Sequence, residues 1–124
     1  MILLLDAHAF LWWLRDEELD RSARESIAAP ANDVLVSAAT VWELEIKRRL
    51  GKLQAPDDLV ATIEAAGFGC LPILGEDVVR AGRLPLHHRD PFDRMLLAQA
   101  LRLDATIVSR DRAFHAYDIP VLRA

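Results

Sequence analysis

The sequence has little cysteine, no excess of basic residues and no long apolar run. Cys70 is the only cysteine among 124 residues, so the chain cannot form an internal disulfide or a cysteine-based zinc site. Fifteen Lys and Arg against nineteen Asp and Glu give a net charge of −4, which argues against broad electrostatic binding to nucleic acid. We therefore expect a reducing, cytoplasmic setting in which any contact with a polyanion is local.

Membrane and secretory signals are also missing from the sequence. Asp6 and His8 interrupt the apolar start, no basic stretch precedes it, and no apolar run approaches the roughly 18 residues of a membrane span. Apolar residues nevertheless make up 52% of the chain, which is enough for a packed core. The expectation is one domain over residues 1–124 with no membrane segment.

Short apolar runs alternate with amphipathic patterns along the chain. Strands are predicted at 1–5, 34–36, 68–74, 105–108 and 119–122, the third of them at a sheet edge because it contains Pro72. Helices are predicted around 10–14, over 20–29, from Ser37 to Gly51, and over 57–66, 76–84 and 90–103, with capping boxes starting at Ser22 and Thr40. The alternation predicts a three-layer α/β domain, a mostly parallel sheet flanked by helices.

Acidic residues stand where the predicted strands end. Asp6 follows the first strand, Glu43 lies in the second turn of the helix after the second strand, and Asp111 follows the strand at 105–108. Asp93 stands in the first turn of the helix that leads into that strand. Because the carboxyl ends of parallel strands form the crevice of open α/β sheets, we expect these four carboxylates to converge.

Converging carboxylates repel one another and are costly to desolvate without a partner, so a divalent cation is the natural compensation. Oxygen ligands favour Mg²⁺ or Mn²⁺, which bridge carboxylates to phosphates. The pattern therefore indicates hydrolysis of a phosphodiester.

Each acid also has a purely structural interpretation. Asp6 fits a turn, Glu43 completes a capping box with Thr40, Asp93 lies where the helix dipole favours an acid, and Asp111 belongs to a polar loop. Their joint placement at the ends of strands, rather than any single acid, favours the metal site.

Four stretches of sequence carry a resemblance to a known family. They are LLDAH at 4–8 with LWW at 11–13, VSAATVWEL at 36–44 with GKL at 51–53, HRDPFDRMLLAQA at 88–100, and IVSRD at 107–111 with Phe114. Together they closely resemble a PIN-domain ribonuclease of the VapC type, the toxin of a VapBC toxin–antitoxin pair. The resemblance covers nearly the whole chain.

The resemblance implies a PIN-like fold and a metal-dependent endoribonuclease that uses Mg²⁺ or Mn²⁺. It assigns the metal site to Asp6, Glu43, Asp93 and Asp111, with Ser109 and Asp90 in supporting positions. It also implies an RNA substrate, a small antitoxin as partner, and a homodimer. Ala7 departs from the family, in which Ser or Thr is common at this position.

Several neighbouring residues are further candidates. The basic residues that flank the acids are predicted RNA ligands: Arg89, Arg94, Arg110 and Arg112. His8 fits the site and a structural role equally well, and Trp12, which lies off the apolar stripe of the first helix, is a candidate for a dimer or antitoxin surface. The alternative to an enzyme is a non-catalytic PIN-fold module that acts only by binding protein. The presence of all four acids argues against it.

Overall fold

In the computed structural model, which describes all residues from Met1 to Ala124, five strands form one sheet between two layers of helices. The strands are β1 (Ile2–Leu5), β2 (Asp33–Ser37), β3 (Gly69–Leu71), β4 (Thr106–Ser109) and β5 (Val121–Arg123). Their spatial order is β3-β2-β1-β4-β5, and every neighbouring pair is parallel. The predicted α/β class and the edge position of the third strand are confirmed.

Six α-helices and one 3-10 helix connect the strands. They are α1 (Ala7–Arg15), α2 (Arg21–Ala28), α3 (Ala38–Arg49), α4 (Leu59–Ala65), α5 (Gly75–Arg83), α6 (Pro91–Leu103) and the 3-10 helix Arg112–Ala116. Every predicted element is present, with its ends moved by a few residues. None of the helices combines the length and the apolar character needed to cross a bilayer.

Both predicted capping boxes are wrong, because Ser22 and Thr40 lie inside their helices. The helix α2 begins after Asp20, and α3 begins after Ser37, whose hydroxyl accepts a hydrogen bond from the first turn (3.0 Å). In each case an upstream polar residue takes the N-cap position that the motif assigned further along the chain. Glu43 therefore has no capping task, which removes the capping interpretation of this acid.

The two faces of the sheet bury separate apolar clusters, because side chains alternate along each strand. Leu3 and Leu5 of β1 pack with α1, α2 and α4, whereas Leu4 packs with α6 and the 3-10 helix. Phe10 and Phe114, on opposite sides of the sheet, are the largest fully buried side chains. The central strand β1 is thus covered on both faces, as its uninterrupted apolar run predicts.

The register brings three strand ends level at one edge of the sheet. Leu5 of β1 pairs with Val36 of β2 and with Val108 of β4. The residues that follow these positions, Asp6 and Ser109 among them, therefore meet at the same edge. This is the edge at which the predicted site must lie.

Candidate metal centre

A polar cleft of about 240 Å³ lies at this carboxyl edge of the sheet. Its lining consists of Asp6, Ala7, His8, Glu43, Lys47, His88, Asp90, Asp93, Arg110 and Asp111. The structure thus brings together the four predicted acids, which come from four separate segments of the chain. A larger cleft of about 510 Å³ at the opposite edge has Asp33 as its single ionisable side chain and offers no comparable chemistry.

Asp6 is the N-cap of α1 and the most deeply buried of the acids. Its Oδ1 accepts a hydrogen bond from the N–H of Ala9 (2.9 Å), and its Oδ2 accepts one from the hydroxyl of Ser109. Burial raises the pKa of Asp6 above its usual value, and these two hydrogen bonds oppose the rise. The cap geometry fixes the position of the carboxylate, while burial makes its negative charge costly.

Ser109 links two of the acids through one hydroxyl group. Its Oγ donates to Asp6 and accepts a hydrogen bond from the N–H of Asp111 (3.0 Å). Asp111 caps the 3-10 helix by accepting from the N–H of Ala113 (2.9 Å), and it lies exposed at the rim of the cleft. Ser109 therefore holds the end of β4 against the start of α1, and the supporting position predicted for it has a geometric basis.

Glu43 reaches the cleft from α3 and forms an ion pair with Lys47 one turn further along. The distance between Glu43 Oε2 and Lys47 Nζ is 2.9 Å. The hydrogen bond to Glu43 raises the pKa of Lys47, so the ammonium stays protonated. Lys47 is thus a positive side chain inside the cleft that partly offsets its carboxylates.

Asp90 and Asp93 share the start of α6 but have different contacts. Asp90 is the N-cap, and its Oδ1 accepts from the N–H groups of Phe92 (2.8 Å) and Asp93 (3.2 Å). Burial first, and the charge of Asp90 next, raise the pKa of Asp93 to about 7, with smaller contributions from Asp6 and Glu43. At neutral pH, Asp93 is therefore only partly ionised unless a cation offsets this repulsion.

His88 is the member of the cleft that sequence reasoning missed. Its Nδ1 accepts the N–H of Asp90 (3.3 Å), which places the ring proton on Nε2. This nitrogen lies 2.8 Å from Oδ2 of Asp93 and 3.1 Å from Oδ2 of Asp111, so it donates between the two carboxylates. The candidate ligand atoms of these three side chains all lie within 4.8 Å of one another. The available signal was a histidine two residues before a helix cap, and the segment was predicted only as a loop.

The prediction that Arg94 binds RNA needs correction, because this side chain is buried and does not line the cleft. Its guanidinium donates to four backbone carbonyls of the preceding segment: Ala81 (2.6 Å), Leu84 (2.7 Å), Pro85 (3.0 Å) and His88 (3.1 Å). These bonds fix the loop that carries His88 onto α6. The predicted role of Arg94 as an RNA ligand is therefore wrong, since its donors are already occupied inside the protein.

The other predicted RNA ligands lie at the surface. Arg89 and Arg112 are exposed, whereas Arg110 lines the cleft and donates to two backbone oxygens. The guanidinium of Arg110 lies 4.2 Å from the ring centre of Trp12, on which His8 also stacks at 5.5 Å. Trp12 is half-buried in these contacts, which support two residues of the cleft lining, His8 and Arg110.

The donor set suits a hard divalent cation. Four carboxylates from separate segments offer oxygen ligands, and no cysteine lines the cleft. Burial raises the pKa values of both Asp6 and Asp93, and the charge of Asp90 adds to the rise for Asp93, so keeping these carboxylates ionised inside the cleft is costly. A bound Mg²⁺ or Mn²⁺ would offset this cost.

The parallel sheet between two helical layers, with an acidic cleft at the carboxyl ends of its central strands, defines a three-layer α/β domain with its polar site at the strand ends. The PIN domain family matches residues 3–120, and the chain belongs to this family, as its sequence predicts. A comparison with curated proteins gives no match.

Solved structures of similar fold include several toxin–antitoxin complexes. VapBC2 from Rickettsia felis bound to a DNA fragment from its promoter has a TM-score of 0.72 at 13% identity, covering 98% of both chains. FitAcB from Neisseria gonorrhoeae has a TM-score of 0.69 at 19% identity, covering 98% of this chain and 96% of the other. VapBC-5 from Mycobacterium tuberculosis has a TM-score of 0.64 at 20% identity, covering 99% and 98%. At these identities, the similarity establishes the fold.

Proposed function

We propose that this protein is a metal-dependent endoribonuclease and the toxin of a toxin–antitoxin pair, with residues 1–124 acting as one domain. The observation that carries the proposal is the convergence of Asp6, Glu43, Asp93 and Asp111 on one cleft of a PIN domain. The cofactor proposed is Mg²⁺ or Mn²⁺. When bound, such a cation would neutralise the carboxylates, lower the pKa of a water molecule and stabilise charge on the phosphate.

In this proposal the four acids hold the cation, and their neighbours hold the acids. Ser109 fixes one oxygen of Asp6, and the cap formed by Asp90 fixes the start of the helix that carries Asp93. The Nε2–H of His88 orients Asp93 toward the rim of the cleft. These contacts preorganise the carboxylates before substrate arrives, which reduces the reorganisation needed during the reaction.

The proposed partners follow from the structural neighbours and from the surface of the chain. The Mycobacterium tuberculosis structure is of a member of the VapBC family of toxin–antitoxin systems. In this chain, Trp42, Ile46 and Leu50 are exposed one turn apart on and after α3, which is an apolar stripe suited to protein contacts. We infer a homodimer and a small antitoxin that silences the nuclease by placing Arg or Lys near the acids.

The decisive experiment compares cleavage of single-stranded RNA with Mg²⁺, with Mn²⁺ and in excess chelator. Cleavage is expected only with metal, and it should return when metal is added back. Asp93→Asn should abolish most of it, whereas Asp104→Asn, at an exposed left-handed position at the end of the same helix, should not. Activity undiminished in chelator would refute the proposal. A lack of cleavage with either metal, together with antitoxin binding, would favour the non-catalytic module.

A further inference from the structure

A second polar cleft, of about 310 Å³, lies beside the acidic one. Its lining residues are Ser109, Arg110, Arg112, His115 and Arg123, and we call it the basic cleft. We propose that the basic cleft binds a backbone phosphate of single-stranded RNA on one side of the scissile bond, and so fixes the direction in which the strand crosses the site. This inference rests on the proposed nuclease function.

The two clefts are contiguous along the carboxyl edge of the sheet. Arg110 lines both of them, and Ser109, in the wall of the basic cleft, donates its hydroxyl proton to Asp6 in the acidic cleft. Ser109 of β4 pairs in register with Arg123 of β5. Because paired residues of neighbouring strands are about 4.8 Å apart, the basic cleft begins one strand away from the proposed metal ligands.

Charge explains why a strand of RNA needs this second cleft. The acidic cleft and the net charge of −4 repel every phosphate that a cation does not neutralise. A phosphate next to the scissile one must therefore be met by cationic side chains. On the β5 side of the acidic cleft, three arginines and a histidine line one pocket, which is where such side chains are concentrated.

Part of this positive charge has no acidic partner inside the protein. Asp20 lies 3.5 Å from Arg123 and 3.9 Å from Arg110, and Arg110 also donates to backbone oxygens. Arg112 and His115 are exposed and have no acidic partner, and the side chain of Arg123 remains 65% exposed. The planar guanidinium groups match phosphate oxygens in a bidentate geometry, so the chemistry of the cleft fits a phosphodiester.

The test uses Arg112→Gln and Arg123→Gln in the full chain, with Arg83→Gln as the control. Arg83 is exposed in the last turn of α5, so its replacement changes the net charge equally outside both clefts. With an RNA oligonucleotide, each variant of the basic cleft should raise KM about threefold to tenfold with little change in kcat. The slope of log affinity against log salt should fall by about 0.7 for each lost phosphate contact.

Substrate length separates this inference from the proposed function. A dinucleotide with one phosphodiester has no phosphate left for the basic cleft, so its cleavage should be insensitive to both substitutions. Oligonucleotides extended from the scissile bond only on the 5′ side, or only on the 3′ side, should respond differently. Cleavage of just one of the two should be weakened by the substitutions in the basic cleft.

Three outcomes have distinct meanings. If the wild type cleaves neither RNA with either metal, the proposed function fails. If the wild type cleaves and both variants match Arg83→Gln, the basic cleft does not bind RNA and the inference is overturned. The same result with weakened antitoxin binding would assign the cleft to an acidic protein segment instead.

Discussion

Replacing Asp93 by Asn is expected to stabilise the metal-free protein at neutral pH, although it removes a proposed metal ligand. On folding, burial and then the charge of Asp90 raise the pKa of Asp93 from 3.8 to about 7. The unfolded chain therefore loses this proton near pH 4, while the folded chain keeps it to about pH 7. Because the folded state holds the extra proton, the free energy of unfolding falls as the pH rises through this window.

The size of the effect follows from the same shift. One pKa unit corresponds to about 1.4 kcal/mol, so a shift of about three units costs the folded state about 4 kcal/mol once the pH exceeds both values. Roughly 2.5 kcal/mol of this loss falls between pH 5 and pH 8. The raised pKa of Asp6 contributes in the same direction. The Asp93→Asn variant lacks the ionisable group, so its unfolding free energy should exceed that of the wild type by up to about 4 kcal/mol at pH 8.

Urea denaturation in chelator between pH 5 and pH 8 measures this difference. The matched control is Asp104→Asn, which removes one charge from the exposed end of α6 at a backbone conformation that Asn adopts readily. Mg²⁺ at 100 times its dissociation constant should narrow this difference in stability, because only the wild type gains the full binding energy. If the wild type and Asp93→Asn lose stability equally between pH 5 and pH 8, the reasoning about this carboxyl is wrong.

The remaining predictions concern the neighbours of Asp93. Asp90→Asn should retain a substantial part of RNA cleavage, because Asn caps a helix as well as Asp does, whereas Asp93→Asn should lose most of it; a folded but inactive Asp90→Asn would assign Asp90 to the metal site. Mg²⁺ at 100 times its dissociation constant should raise the free energy of unfolding by about 2.7 kcal/mol, and an unchanged Tm across a millimolar titration would contradict a shared cation. Arg94→Met should cost about 3 to 5 kcal/mol in urea denaturation, since four carbonyls lose their donor, while Arg89→Met at the exposed neighbouring site should cost little.

The fold was predictable where local chemistry and tertiary structure agree. The apolar run of β1 is buried on both faces, and Asp90 with Pro91 caps α6 as the sequence predicts. The capping boxes predicted at Ser22 and Thr40 were wrong, because the spacing of residue types does not show which of several polar residues occupies the N-cap position. Propensity thus located the elements but not every boundary.

The site was predictable at the level of its carboxylates, because parallel strands bring their carboxyl ends to one edge regardless of loop detail. The roles of His88 and Arg94 were not predictable, since their positions depend on contacts between a loop and a helix. His88 lies between acids that are 5 and 23 residues away in the chain, and no local sequence pattern indicates this contact. Arg94 is buried because unpaired carbonyls of the loop need a donor, and the sequence does not reveal which carbonyls are unpaired.

The central position of β1 determines when the proposed nuclease site comes into existence during synthesis. One edge of β1 pairs with β2, which follows soon after it, but the other edge stays open until β4 has been made. Asp6 and Ser109, which are 103 residues apart, meet only at that stage. Contacts of such long sequence separation form late. A nascent or truncated chain that stops before Thr106 therefore lacks an assembled site, so the proposed activity requires synthesis to continue through β4.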